Sequence, residues 1–266
     1  MSSRIKKTGL ILIDILLAGY IIAAFSAFNK PEEKLYVCKD VNIVVEDASA
    51  YGFISSAEVE RRLKKAELYP KGKALADVST RKIEDALKKT PFVNRAECYK
   101  TQDGTVTVSI TQRLPVVRIK SANNDDFYID DQDCIMPNSE YTSDLIIATG
   151  NISRNYAVRY VSPLARILMA DDMYRNLFEQ INITSTLGVE LIPRIGNHVV
   201  YLGHIPESRI KQERQEIIRQ FVETKMRRLE TFYKYGLKEA GWNMYSEISL
   251  EFDNQIICKR NYNEEI

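Results

Sequence analysis

The stretch that decides the fold covers residues 90–119, TPFVNRAECYKTQDGTVTVSITQRLPVVRI. Two β-prone runs, Val93–Lys100 and Thr105–Gln112, flank Asp103-Gly104, a pair suited to a tight hairpin turn. In the second run Val106, Val108 and Ile110 alternate with polar residues, the period-2 pattern of a strand with one buried face. An antiparallel hairpin is therefore expected. It ends at Arg113-Leu114-Pro115, after which the texture changes, so a domain boundary is expected there.

Upstream of the hairpin lie two amphipathic helical patterns. In SSAEVERRLKKAE, Ser55 or Ser56 is positioned to cap a helix with Glu58 close behind, and Val59, Leu63 and Ala66 share one face. Arg61, Arg62, Lys64 and Lys65 fall on the solvent side. A second helix is expected over residues 79–89, with Val78, Ile83, Ala86 and Leu87 apolar and Pro91 past its end. Before both, DVNIVVED carries a β-branched run at residues 41–45, followed by a turn-rich stretch at 47–52. The order is β-α-α-β-β, an α+β layer in which both helices can cover one sheet face.

Downstream, short β-prone runs occupy residues 116–119, 127–129, 145–148, 189–192 and 198–202. Turn-rich separators at 121–126, 130–133 and 193–197 predict antiparallel or mixed connections rather than a doubly wound fold. One helix is expected near 162–178. A longer one over 207–238 presents Ile210, Ile217, Phe221, Leu229 and Phe232 on one side and mixed charges on the other, so it should lie across the sheet. The terminal segment MYSEISLEFDNQIICKR alternates through Ile248, Leu250 and Phe252, turns at Asp253-Asn254 and continues through Ile256 and Cys258. Such a hairpin leaves a sheet edge able to accept another strand, or an ordinary edge protected by Glu247, Glu251, Lys259 and Arg260.

At the other end, residues 8–28, TGLILIDILLAGYIIAAFSAF, form an apolar run with one charge, about the 20 residues that cross a hydrocarbon core. Arg4, Lys6 and Lys7 precede it, and the exit side holds Lys30, Glu32, Glu33 and Lys34. This asymmetry predicts a cytoplasmic tail at 1–7 and export of everything beyond residue 30. The apolar run is too long for a cleaved signal peptide, and Phe25 and Phe28 interrupt the small residues a peptidase needs. Two readings of Asp14 stand: it faces a partner helix, or it sits close enough to the cytoplasmic interface to be hydrated or protonated.

Composition narrows the function. A net charge of +1 lacks the basic surplus that nucleic-acid binding draws on. Cys38, Cys98, Cys134 and Cys258 are scattered, without a CxxC pair; they allow disulfides outside the cytoplasm but fit small buried apolar groups as well. His198 and His204, the only histidines, lack a metal-site spacing, and nearby Glu190 and Glu207 complete no ligand motif. Neither GxSxG nor GxxxxGK[ST] occurs. No catalytic, metal or cofactor residue is assigned, and an enzyme is not expected. Trp242 with Tyr245 reads equally as a binding surface or as partial core.

Several of these segments, in order, resemble the bacterial FtsQ/DivIB cell-division family, in a Bacteroidetes-type form. FISSAEVERRL and the residues 90–119 segment resemble its POTRA domain and the exit from it. FYIDDQDCIMP resembles a family turn element, with Asp133-Cys134 where Gly is common. ELIPRIGNHVVYLG and FYKYGLKEAGWNMYSEISLEFDNQIICK resemble its C-terminal half. The resemblance implies a POTRA domain at 37–113, a β domain with terminal partner-binding strands at 114–260 and a short tail at 261–266. It further implies a non-enzymatic, single-pass scaffold of the inner membrane and division septum, binding small bitopic FtsB/DivIC- and FtsL-like proteins and helping coordinate septal peptidoglycan synthesis. No cofactor, nucleic acid or small-molecule substrate is implied, and the POTRA segment becomes a docking site for other divisome proteins. Carried over residue by residue, the partner site comprises Ser249, Leu250, Glu251, Phe252, Asp253 and Asn254, flanked by Tyr245 and by Gln255, Ile256, Ile257 and Cys258. Ile248, Leu250 and Phe252 either fill the core or set specificity. The rival reading is a POTRA-containing outer-membrane assembly or transport accessory, a class that normally repeats the module or carries a barrel.

Overall fold

The computed structural model describes residues 3–28, 36–46, 52–139 and 145–261, with the side chains of the first helix described from residue 13 to 25. In helix α1, Ser3–Phe28, the side chains of Ile13, Leu16, Tyr20, Ile22 and Phe25 are all exposed. Among the described residues no helix is long and apolar enough to cross a membrane. The expected span at 8–28 lies partly outside the described side chains, as do Arg4, Lys6 and Lys7; the exit-side charges at 30–34 and most of the expected turn at 47–52 lie outside the described residues.

The chain divides into two compact units. The first comprises Met1–Val44, Ser56–Lys88 and Ala96–Ile110; the second comprises Val45–Ser55, Lys89–Arg95 and Thr111–Ile266. A three-stranded sheet, in the order β1-β3-β2, is built from β1 (Asp40–Glu46), β2 (Val93–Lys100) and β3 (Thr105–Gln112). Gly104 takes φ +92° in the β2–β3 turn, a conformation that costs a residue without a Cβ little. The helices are α2 (Ser56–Lys65) and α3 (Thr80–Lys88). Ser79 accepts the Lys82 N–H at the start of α3. Val59 and Leu63 from α2, Ile83 and Leu87 from α3, and the alternating Val106, Val108 and Ile110 are all buried. Ala66 is exposed, because α2 ends at Lys65 and Glu67 follows at φ 60°. Cys38 and Cys98 are buried thiols; Cys134 is exposed, Cys258 half-buried, and all four are unbridged.

In the second unit a nine-stranded mixed sheet has the order β12-β11-β10-β9-β8-β7-β4-β5-β6. Its strands are β4 (Pro115–Ser121), β5 (Asp126–Asp130), β6 (Ile135–Pro137), β7 (Ile147–Gly150), β8 (Phe178–Ile183), β9 (Gly188–Pro193), β10 (Val199–His204), β11 (Tyr245–Ser249) and β12 (Ile257–Arg260). The pairs β4–β7, β7–β8 and β10–β11 are parallel and the rest antiparallel. One helix was expected over 162–178; the chain instead turns helical at Arg154–Tyr156, widens into a π-helical turn at Ala157–Val161 and continues as α4, Ser162–Ala170. Asp171 then leaves helical geometry and caps α5, Asp172–Leu177, through the N–H groups of Met173 and Tyr174. Phe178 therefore opens a strand.

Helix α6, Lys211–Phe232, runs on through a second π-helical turn at Tyr233–Leu237, ending at Gly241 with φ 97°. Its buried face carries Arg214, Ile218, Val222, Lys225, Met226 and Leu229. The stripe expected from the sequence is rotated by about one position, with Ile217, Phe221 and Phe232 only half-buried and Ile210 exposed before the helix. Side chains from α4, α6 and strands β4, β5 and β7 to β11 form one core.

The FYIDDQDCIMP element is the β5–β6 turn. Asp130, 2% exposed, accepts the N–H groups of Gln132 and Cys134 on one oxygen and the Arg113 guanidinium on the other. Asp133 stands at φ 63°, the left-handed region where glycine is at ease. Its carboxylate meets Ser162 and Arg166, with Lys211 at 3.4 Å, contacts that compensate the backbone cost.

Candidate functional site

The terminal strands position the expected partner-binding residues. Parallel pairing of Val199 with Glu247 and of Tyr201 with Ser249 fixes β11 beside β10, and the Leu250 N–H continues that ladder to the Tyr201 carbonyl at 2.8 Å. This register turns Ile248 and Leu250 inward, both 0% exposed, so these two fill the core. The alternation ends there. Glu251 leaves the strand, Phe252 bends outward and is 50% exposed, and Asp253 and Asn254 form the turn, Asn254 at φ 62°. Gln255 and Ile256 lead into β12, which pairs antiparallel with β11 through Ile248–Cys258 and Ser249–Ile257. Cys258, Ile256 and Tyr245 pack against the core, and Ile257 projects outward, 49% exposed. Burial pushes the Cys258 thiol up, away from thiolate reactivity.

β12 is the outermost strand, so among the described residues one of its backbone edges has no neighbouring strand. Such an edge can hydrogen-bond to an added strand through the main chain, leaving side chains to set selectivity. The exposed Phe252 and Ile257 supply apolar contact beside it.

The sequence reading overlooked two cations that hold this corner. Lys225 is 6% exposed, and its ammonium donates to the carbonyls of Leu250 and Glu251, the latter at 2.6 Å. Arg228 donates to the carbonyls of Gln255 and Leu250. The β11–β12 connection carries carbonyls that no ladder satisfies, and α6 supplies the donors. Burial first, then the Arg228 charge, lowers the Lys225 pKa, with Asp253 and Glu251 acting the other way. A visible signal existed: Lys225 falls in step with Ile218, Val222 and Leu229 on the buried stripe.

Beside the corner a cleft of 610 Å³ opens between α6, its π-helical turn and the connection, with Arg228, Phe232, Tyr235, Asn254 and Ile256 in its walls. Trp242, 40% exposed, packs edge-on to Tyr233 at 5.4 Å and lines a different cleft with Met173, Leu177 and Ile195. Tyr245 tilts against Phe232 at 6.2 Å. Tyr245 is thus partly core, whereas Trp242 is exposed and only its edge contact with Tyr233 reaches the core.

The histidines are not gathered. His198 is 2% exposed, and its Nε2 pairs with the Tyr233 hydroxyl at 2.6 Å; His204 is exposed, its Nε2 3.1 Å from the Thr186 carbonyl. Among the described residues no cluster of His, Cys, Asp and Glu has the makings of a metal site.

Comparison with protein families assigns both halves of the chain. Residues 36–111 match the POTRA-like domain, and residues 114–259, more than half of the chain, match the family described as FtsQ/DivIB, C-terminal related. Comparison with curated proteins finds no match.

Proposed function

The chain belongs to the FtsQ/DivIB family and is a cell-division protein with a POTRA-like domain, and on that premise we propose that it is a non-enzymatic scaffold binding small bitopic division proteins at the β12 edge. The partners are FtsB/DivIC- and FtsL-like chains, and through them the protein helps coordinate septal peptidoglycan synthesis. The observation that carries this reading is the outer edge of β12, which has no neighbouring strand among the described residues and is flanked by the exposed Phe252 and Ile257. The binding set is Tyr245 together with residues 249–258, within which Leu250 contributes from the core and Phe252 contacts the partner. Other divisome proteins dock on the POTRA domain, residues 37–113.

In this reading α1 anchors the protein in the inner membrane at the division septum, N-terminus in the cytoplasm, with the two folded units outside it. The apolar composition of residues 8–28 and the basic residues before them support that placement. The outer-membrane assembly alternative has lost its footing, because the region after the POTRA-like domain matches an FtsQ/DivIB family rather than a barrel or a second POTRA module.

The test is co-purification from detergent-solubilised membranes of the intact chain and of Phe252→Lys, with folding of both checked by circular dichroism. Small bitopic division proteins should accompany the intact chain and be lost from the variant. Equal retention by both would move the interface elsewhere, and their absence from the intact chain would overturn the scaffold reading.

A further inference from the structure

A polar cavity of 430 Å³ lies between the π-helical turn Ala157–Val161 and the connection from β10 to α6, and none of its lining residues belongs to the β11–β12 hairpin. Tyr156, Arg159, Tyr160, Glu207, Ser208 and Arg209 line it. Two guanidinium groups converge at its wall. Arg159 donates to the Ser208 carbonyl at 3.3 Å, Arg214 donates to the same oxygen at 3.0 Å, and Arg214 Nε donates to the Arg159 carbonyl at 3.2 Å. Each guanidinium carbon also lies 5.7 Å from the centroid of the Tyr160 ring.

These contacts satisfy hydrogen bonds, and the ring face offers each cation some attraction, but neither neutralises charge. Two like charges share one acceptor oxygen. Arg214 is 7% exposed, and among the described residues neither Arg214 nor Arg159 forms an ion pair. Arg209, exposed at the cavity mouth, has no hydrogen-bond or ion-pair partner among the described residues. Glu207 is the one carboxylate in the lining, against two arginines. Arg214, behind the wall, is a charge removed from water with no opposite charge beside it among the described residues, while the half-buried Arg159 and the exposed Arg209 give the cavity itself a surplus of positive charge. π-Helical turns interrupting α-helices are frequent at functional sites, and this one carries both Arg159 and Tyr160.

We propose that this cavity binds a small organic oxyanion, a carboxylate or a phosphate, held by Arg159 and Arg209 against the Tyr156–Tyr160 pair. The planar guanidinium fork matches two oxygens of either group. The two tyrosine rings stack 5.0 Å apart, and the half-buried Tyr156 offers the body of the ligand an apolar wall. The volume falls in the range of pockets that take small organic ligands. The site is independent of the β12 edge, so its failure and that of the scaffold reading are separable.

The test is thermal melting of the full chain in neutral detergent, followed by Trp242 fluorescence, with sodium phosphate or sodium citrate titrated against sodium chloride at matched ionic strength. A saturable rise in melting temperature with phosphate, citrate or both is expected; phosphate alone assigns a phosphoryl group, and citrate alone a carboxylate. Arg209→Gln should weaken the apparent affinity about tenfold or more, while Lys238→Gln on a remote surface leaves it unchanged and neither alters partner co-purification. No rise beyond that given by chloride, or a rise that survives in both Arg209→Gln and Arg159→Gln, overturns the proposal.

Discussion

Leu250 and Phe252 are two residues apart, and truncating each to alanine should have opposite consequences. Leu250 is 0% exposed within the main core and Phe252 is 50% exposed outside it. Leu250→Ala removes three buried carbons, about 2–2.5 kcal/mol at roughly 0.8 per carbon, and the unfilled cavity brings the total to about 2–5 kcal/mol. For a domain of this size 1 kcal/mol corresponds to about 2–4 °C, so a loss near 3 kcal/mol lowers the melting temperature by roughly 6–12 °C. Phe252→Ala removes a side chain already half in water, an effect within about 0.5 kcal/mol, or a degree or two. The assay is a thermal melt read by the single tryptophan, Trp242, run beside a co-purification of the partner at a temperature where both variants are folded. Phe252→Ala should melt like the parent and lose partner, whereas Leu250→Ala should melt early and, while folded, keep it. A Phe252→Ala protein that melts as early as Leu250→Ala, or a Leu250→Ala protein that melts with the parent, would refute the register on which the proposed site rests.

Two further outcomes test other parts of the fold. Burial holds His198 below its ordinary pKa of 6.5, despite the opposing effect of the Trp242 backbone carbonyl, which favours the protonated ring. As pH falls from 6.5 toward the lowered value, the unfolded chain takes up its proton first, so this residue's share of stability is present above pH 6.5 and declines through that window. A series of melts should show that decline in the parent and a flatter profile in His198→Phe. At the β5–β6 turn, both Asp133→Ala and Asp133→Gly lose the contacts to Ser162, Arg166 and Lys211, but only alanine keeps a Cβ at φ 63°. Urea unfolding should find the alanine variant less stable than the glycine one by about 1 kcal/mol; equal midpoints would mean that the left-handed backbone is not strained.

What was legible in the sequence follows from how local each signal is. β2 and β3 show in a strict alternation around Asp103-Gly104, because a hairpin is specified by neighbours in sequence. β8 was hidden because an apolar helical pattern continues toward Phe178, and the break at Asp171 depends on one side chain reaching back to cap α5. The buried face of α6 was misjudged by a fraction of a turn because arginine and lysine were assumed to face solvent. Arg214 and Lys225 instead point inward, to the Arg159 and Leu250 carbonyls far away in the chain, partners that no periodicity reveals. At the terminal hairpin the turn and the inward Ile248 and Leu250 were readable. That alternation stops before Phe252 depends on the bend at Phe252 itself, in a connection held by Lys225 and Arg228 from a distant helix.

The parallel pairing of β10 with β11 has a kinetic consequence. Two parallel neighbours cannot be joined by a tight turn, and here the return path is the whole of α6. Val199 and its partner Glu247 meet only after that long segment has ordered, and non-local closures of this kind are slow. The β11–β12 hairpin is local and closes without help, but it can dock on β10 only once α6 has ordered. A chain caught midway would hold β10 as its rim, a rim with a different row of side chains, and would offer visiting strands the wrong template. Recognition at β12 would then double as a checkpoint, admitting a partner only after the unit that carries it has finished folding.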